Sequence, residues 1–302
     1  MIPPRSILAA TDFSEASRAA VTFAACLAKR CHATFHLLHA EDPLLSAAAR
    51  QAGIDLNRET REALQTFVAS ARPLADYAPL HHVMSGPAAD VIVDVARREE
   101  VDLVVIGSHG MSGTERLIFG STAEGVLRRT GTSVLVVPPG WRPVRAETPD
   151  LSGIGPVVVG IDLSQASIDI ATAACAFAAT LGTSVEAVHV VPALPVPERW
   201  RAHADRAVRK RIDSARAELE DSFLEMKAPV TVHMRIESGR VAERLAEVAA
   251  CSRDRHPMLV LGRRPGRFGA PPGAIAYRAL TLAAVPVLMY VPEEQAGDAN
   301  DR

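Results

Sequence analysis

Two short glycine-containing segments, separated by nine residues, are the part of this chain best suited to hold a phosphate group. They are Gly107-Ser108-His109-Gly110 and Gly120-Ser121-Thr122. Glycine lets the backbone approach a ligand closely and leaves its N–H groups pointing at it. The second segment opens a predicted helix, where unpaired N–H groups and the positive end of the helix dipole attract an anion. With two hydroxyls added at positions 121 and 122, the pattern predicts a site for a polyphosphate.

The same helix start has a second interpretation that needs no ligand. Ser121 and Glu124 match an S-x-x-E capping box, in which both side chains accept hydrogen bonds from backbone N–H groups of the first turn. Such caps are commoner than phosphate sites, but the glycines at the preceding strand end favour a ligand. The two interpretations are compatible, and the sequence leaves both open.

The position of the glycines excludes several common nucleotide-binding loops. A dinucleotide-binding fold carries its glycines after the first strand, where residues 10–15 of this chain contain none. A Walker loop needs Gly-Lys followed by Ser or Thr, and the sequence has no such run. The Ser-Gly-Gly segment of ATP-pyrophosphatase-type enzymes is also missing after the first strand.

The elements that position these segments occur twice. A shift of about 150 residues aligns the two halves of the 302-residue chain and places Asp12 on Asp162. Residues 139–156, between the halves, are rich in proline, glycine and polar residues, which is typical of a linker. We therefore predict two domains, residues 1–140 and 153–293.

Each half alternates β-rich runs with helical stretches. The predicted strands are 6–12, 34–40, 80–85, 102–107 and 133–137, then 156–162, 184–191, 230–236, 258–262 and 286–291. The runs are continuously apolar, as expected when helices cover both faces of a parallel sheet. The predicted fold class is α/β, with two tandem, doubly wound, parallel five-stranded sheets.

The pattern G-x2-G-x9-G-[ST] after strand four, an Asp ending strand one and the closing run Ser133–Pro138 resemble the universal stress protein family. The resemblance extends over both halves, so the chain looks like a tandem member. It implies an adenine nucleotide alpha hydrolase-like domain with strand order 3-2-1-4-5 and ATP between strands one and four. Open α/β sheets bind ligands at such a reversal of strand order.

Carried onto this sequence, the resemblance implies that the adenosine lies against Asp12, with Thr11 and Ala10 beside it. Ala40, at the end of strand two, would line the adenine pocket. Asp12 has an alternative role as a cap of the following helix.

The resemblance also implies positions for the phosphates. Gly107, His109 and Gly110 would wrap the ribose and first phosphates, and the outer phosphates would be held by Gly120, Ser121 and Thr122. A magnesium or manganese ion could bridge phosphate oxygens, although the sequence shows no dedicated cluster of metal ligands.

The second half departs from the pattern at the phosphate loop. Its segments read Gly262-Arg263-Arg264-Pro265-Gly266 and Gly273-Ala274-Ile275. A proline replaces the second glycine and removes an N–H donor, and both hydroxyls are lost. We therefore expect ATP to bind mainly in the first domain. The arginines at 263, 264 and 267 could bind another anion, but solvated surface arginines are the favoured interpretation.

Four histidines fall on the neighbouring strands two and three. They are His36, His39, His81 and His82. A metal site there is conceivable, but their spacing is not that of metal ligands, and core or edge histidines are favoured. His39 recurs as His189, which fits a shared packing role at that strand end.

Composition limits the partners and the compartment. A net charge of −2 gives no basic field for nucleic acid or a membrane surface, and no stretch approaches the ~18 apolar residues that span a bilayer. Without a signal peptide or a CxxC pair, we expect a cytoplasmic protein.

The predicted function is an ATP-binding stress-response module whose nucleotide state changes its shape. The alternatives are a slow ATPase or phosphotransferase, with His109 as the candidate base, and a nucleotide-free interaction scaffold. In the family, fifth strands of two domains commonly pair, so the resemblance implies an intramolecular pseudo-dimer through 133–138 and 286–291. The sequence names no protein partner and leaves further self-association open.

Overall fold

The structure is a computed structural model that describes residues 3–70, 77–109, 119–141, 151, 153–193, 196–251, 256–263 and 273–292. The elements of the first half are β1 (Ser6–Ala10), α1 (Glu15–Cys31), β2 (Thr34–Glu41), α2 (Pro43–Gln51), α3 (Leu56–Ala69), β3 (Leu80–Ser85), α4 (Ala88–Arg98), β4 (Leu103–Gly107), α5 (Ser121–Arg129) and β5 (Ser133–Val137).

The second half repeats this alternation. Its elements are β6 (Val157–Ile161), α6 (Gln165–Leu181), β7 (Val185–Pro192), a 3-10 turn (Glu198–Trp200), α7 (Arg201–Met226), β8 (Val232–Gly239), α8 (Val241–Cys251), β9 (Met258–Gly262), α9 (Ala274–Leu282) and β10 (Val287–Tyr290).

All ten of these strands form one sheet in the order β3-β2-β1-β4-β5-β10-β9-β6-β7-β8. Strands within each half pair in parallel. The halves meet where β5 and β10 pair antiparallel, with Leu135 opposite Leu288. The strand order 3-2-1-4-5 is confirmed in both halves, and the predicted junction between the fifth strands is present.

Helices cover both faces of the sheet, and each face carries a core that runs across the junction. One core packs α1 and α6 on side chains such as Ala9, Leu135 and Val159. The other packs α4, α5, α8 and α9 on side chains such as Val104 and Leu259. Both faces of central strands such as β4, β5 and β9 are buried, and their sequences are continuously apolar, as predicted. The outermost strands β3 and β8 are mostly half-buried or exposed and carry polar residues, so the prediction does not hold for them.

The first helix of each half begins in the same way. Ser14 is the N-cap of α1 and accepts a hydrogen bond from the Ser17 N–H, and Ser164 does the same for α6 with Ser167. This repetition of a local cap supports the internal repeat found in the sequence.

Some boundaries differ from the predictions. β8 begins and ends later than the predicted 230–236, and β1 ends at Ala10 rather than at the predicted residue 12. The segment predicted as a linker is partly packed, because Trp141 contacts the Phe23 ring and Ile154 is buried. Residues 142–150 and 152 of this segment are not among the residues that the structure describes. Across the described ranges, we find no helix with the length and apolar character needed to cross a bilayer.

Candidate functional site

A cleft opens beyond the carboxyl ends of β1 and β4, where the strand order reverses. Nine of the ten site residues predicted from the sequence line this cleft: Ala10, Thr11, Asp12, Ala40, Gly107, His109, Gly120, Ser121 and Thr122. Gly110, the remaining predicted site residue, lies outside the described residues. The topology thus brings together residues more than 100 positions apart in the sequence.

Five further residues line the cleft that the sequence did not indicate: Ser17, Ala88, Ile92, Ile106 and Ala123. Ile106 and Ala123 directly adjoin predicted site residues, so an extension of the motif by one position would have found them. Ala88 and Ile92 are on α4, and only the packing of that helix over the sheet places them at the cleft.

The turn after β1 is held by its own short polar side chains. The Phe13 N–H donates to Thr11 Oγ1 at 3.0 Å, and the Ser14 N–H donates to Asp12 Oδ1 at 3.0 Å. Thr11 Oγ1 also lies 3.0 Å from Ser17 Oγ. Since Ser14 is the N-cap of α1, the alternative role of Asp12 as that cap is wrong; its carboxylate stabilises the turn and lines the cleft.

His39 fixes the position of this turn from the neighbouring strand. Its Nδ1 donates to the Thr11 carbonyl oxygen at 2.8 Å, and the Phe13 and His39 ring centroids are 4.6 Å apart. In the second half, His189 Nδ1 donates in the same way to the Ile161 carbonyl at 2.9 Å. The shared structural role expected for the two histidines is therefore confirmed.

The two glycine segments meet at the start of α5. The Gly120 N–H donates to the Ser108 carbonyl at 2.9 Å. Gly120 is the N-cap of α5 and has no side-chain cap, and both Ser121 and Thr122 are exposed in the first turn. The N-terminal end of this helix, with its positive partial charge, therefore borders the cleft.

The predicted capping box is wrong. Ser121 follows the N-cap instead of occupying it, and the Glu124 carboxylate accepts a hydrogen bond from Arg128 Nη2 at 2.7 Å, one helical turn later. The arginine competes for the carboxylate that a capping box requires. The Ser121 hydroxyl is consequently not the cap of its own helix.

His109 is held at the edge of the cleft by its neighbour. Its Nδ1 lies 2.8 Å from Ser108 Oγ, in a hydrogen bond. The Ser108 N–H in turn donates to the Val137 carbonyl at 2.9 Å. The end of β5 thereby fixes the strand end that carries the imidazole.

The corresponding region of the second half is lined by larger apolar side chains. Ile161 stands where Thr11 stands in the first half, and Val190 stands where Ala40 stands. Leu245 occupies the fifth position of α8, as Ile92 does in α4. A Cβ atom at Gly160 would lie only 3.1 Å from Leu245 Cδ1, so the space beside the strand end is filled.

The surface position expected for Arg263 is wrong. Its side chain is buried, and its guanidinium donates to the Leu127 carbonyl at 2.6 Å and to the Thr130 carbonyl. Burial lowers the pKa of this guanidinium below its ordinary value. Arg264 and Arg267 lie outside the described residues.

Two of the four strand histidines form a hydrogen-bonded pair. His36 Nδ1 and His82 Nε2 are hydrogen-bonded at 3.0 Å. Within the described ranges, no cluster of three or more His, Cys, Asp or Glu side chains could hold a metal ion. His36 is buried and the other three histidines are half-buried, in agreement with the core and edge interpretation.

Comparison with known proteins gives a consistent result for both halves. The model of the universal stress protein family matches residues 4–138 and 153–291. A universal stress protein of Mycolicibacterium smegmatis is 26% identical over 303 residues, covering 95% of this chain and 97% of its own. Universal stress protein A homolog 1 of Coxiella burnetii is 28% identical over 141 residues, covering 44% of this chain and 95% of its own.

A solved structure shows the same fold over the full length. The crystal structure of a universal stress protein from Archaeoglobus fulgidus aligns with a TM-score of 0.62 at 18% identity, covering 95% of this chain and 98% of that one. At this identity the likeness describes the fold alone.

Proposed function

This chain belongs to the universal stress protein family, and from that premise we propose that its first domain, residues 1–140, binds an adenine nucleotide, with ATP as the principal ligand. Binding would alter the surface around the cleft and so report nucleotide state to other molecules. The second domain, residues 153–293, would serve as its structural partner.

One observation carries the proposal. The cleft joins the uncapped start of α5 to the turn after β1, so donors for phosphate and an acceptor for adenosine share one opening. The first-turn N–H groups of α5 and the hydroxyls of Ser121 and Thr122 suit the outer phosphates. The glycine at 107 gives the backbone a close approach to the ribose and first phosphates, with His109 beside it.

The other end of the cleft suits the nucleoside. Ala10 and Ala40 leave room for a flat ring, and the Asp12 carboxylate can accept a hydrogen bond from the adenosine. A magnesium or manganese ion would be held mainly by phosphate oxygens, since the described residues offer no metal cluster of their own.

We expect the second domain to bind ATP poorly. Ala274 and Ile275 provide no hydroxyl at the start of α9, and the Ile275 side chain is exposed there. Larger aliphatic residues also occupy the position of the nucleoside, as at Val190. Calorimetric titration with ATP should therefore give one site per chain.

A variant that copies the second domain tests the phosphate site. Ser121→Ala with Thr122→Ile removes two hydroxyls and should weaken ATP binding at least about tenfold, because hydrogen bonds to charged groups contribute about 1.5–3 kcal/mol each. The matched control is Ala274→Ser with Ile275→Thr, which should leave the stoichiometry at one, because the nucleoside position stays filled.

Undiminished affinity in the first variant, or two equivalent sites in the unaltered chain, would contradict the proposal. Phosphate release measured on the same samples separates it from the ATPase alternative. Turnover above about one per second would be in the enzyme range and would favour catalysis.

A further inference from the structure

A buried arginine of the second half crosses the junction and binds the end of the proposed phosphate-binding helix. Arg263 is 5% exposed, and its Nη1 donates to the Leu127 carbonyl at 2.6 Å. Its Nη2 donates to the carbonyl of Thr130, the C-cap residue of α5. The last carbonyls of a helix lack partners within the helix and carry its negative partial charge, so a guanidinium there stabilises the helix end.

The second half also contacts the other end of the same helix. The Tyr277 ring, on α9, meets the Phe119 ring edge to face with centroids 5.9 Å apart. Phe119 directly precedes Gly120, the N-cap of α5. The second half therefore holds the short helix α5, of nine residues, near both of its ends.

The arginine occupies the position of a phosphate-loop residue. Arg263 follows β9 as Ser108 follows β4, and the backbone bonds match, because the Arg263 N–H donates to the Tyr290 carbonyl at 2.7 Å and the Ser108 N–H to Val137 at 2.9 Å. The Ser108 hydroxyl reaches His109 in its own domain. At the equivalent point of the second half, the side chain instead leaves its own domain.

We propose that Arg263 is a positioning residue for the nucleotide site. From the position that is equivalent to Ser108, it holds α5 of the first domain in the orientation that binds nucleotide. Tyr277 assists at the N-terminal end of the helix. This inference rests on the proposed function. Because energetic coupling between two sites is reciprocal, nucleotide bound at the start of α5 should in turn stabilise the contacts made by Arg263 and Tyr277.

The affinity of the full chain for ATP, measured by calorimetry, tests the role of Arg263. Arg263→Met should weaken binding by about 2- to 30-fold, the range of substitutions that alter coupling without touching a ligand. Arg263→Lys should restore part of the loss, since an ammonium keeps the charge but lacks the planar fork that spans two carbonyls. Arg278→Met is the matched control, because Arg278 pairs with Glu243 within the second domain, and its affinity should be unchanged.

Hydrogen exchange supplies a measurement that a purely structural role would not change. ATP should slow amide exchange in residues 274–282 of the unaltered chain, and this protection should be lost in Arg263→Met. If that variant fails to fold, Tyr277→Ala replaces it, with an expected weakening of about twofold or more from the lost ring contact.

Unchanged affinity in Arg263→Met, or in Tyr277→Ala where the arginine variant does not fold, would overturn the inference while leaving the proposed function intact. So would exchange in residues 274–282 that ATP does not alter. An unaltered chain that does not bind ATP would overturn both proposals together.

Discussion

At the residue scale, the histidine pair on β2 and β3 couples folding to pH. His36 is 4% exposed and shares a hydrogen bond with His82. Burial lowers the pKa of both imidazoles, and Glu99 opposes the shift in each case. The charge of His36, followed by those of Arg98 and His81, lowers the pKa of His82 further. Both rings are consequently held neutral in the folded protein at a pH where an unfolded chain would take up protons.

The expected result is a loss of stability in mild acid. The folded pKa values of both histidines lie below the ordinary 6.5. The contribution of the neutral pair to the free energy of unfolding is therefore complete above about pH 6.5, and it is lost as the pH falls below that value because the unfolded chain takes up protons first. Urea unfolding at pH 7.5 and 5.5 should show a smaller decrease of the midpoint in His36→Leu than in the unaltered chain. His203→Gln, on the exposed face of α7, is the control, and an identical decrease in all three proteins would exclude this coupling.

At the element scale, the contact between α4 and α5 depends on the absence of a side chain. A Cβ atom at Gly125 would lie 2.8 Å from the Ala89 Cβ, which is closer than packed carbon atoms approach. Arg129 of α5 also forms an ion pair with Asp90 of α4. Glycine at 125 thereby lets the helix that borders the cleft lie close against its neighbour.

A larger residue at this position should separate the two helices. We expect Gly125→Val to lower the free energy of unfolding by about 1–3 kcal/mol, the usual effect of overpacking, as measured by urea denaturation. Gly131→Ala is a matched control, since a Cβ there has nothing within 4 Å. Equal stability of the two variants would show that the close approach is unimportant.

At the scale of the whole molecule, the junction of β5 and β10 joins the two halves through a shared core. Leu135 and Leu288 face each other across it and are 0% and 1% exposed. Both belong to the core that extends under α1 and α6. Since this core is shared, unfolding of one half exposes apolar surface of the other, and we expect a single cooperative transition.

Shortening a buried side chain at the junction should therefore destabilise the entire chain. Leu288→Ala is expected to cost about 2–5 kcal/mol in the free energy of unfolding, with one transition retained. Leu282→Ala removes a leucine that is 42% exposed and should cost much less. Two separate transitions by calorimetry and circular dichroism would contradict the view that the halves fold together.

The sequence predicted most of the fold because its signals are local. Continuous apolar runs locate strands such as β4 and β9 to within a residue. Most of the cleft residues were instead implied by the resemblance to the family, which rests on the aspartate after β1 and the glycine segments before α5.

What the sequence could not predict depends on distant packing. Ile92 reaches the cleft only through the placement of α4, and the partners of Arg263 are more than 130 residues away, across the junction. The capping box failed for a different, local reason: the helix starts one residue earlier than the pattern implies, with Gly120 as the N-cap, so Ser121 lies inside the first turn.

The antiparallel junction also bears on whether one half of this chain can exchange its partner for a half of another molecule. β5 and β10 each occupy the other's hydrogen-bonding edge, and the outermost strands of the sheet are β3 and β8. Because one chain supplies both strands, their encounter is intramolecular and independent of protein concentration. Dilution should therefore not separate the first half from the second half of the same chain. A single-domain relative could not pair with β5 or β10 at this edge, because each strand already pairs with the other.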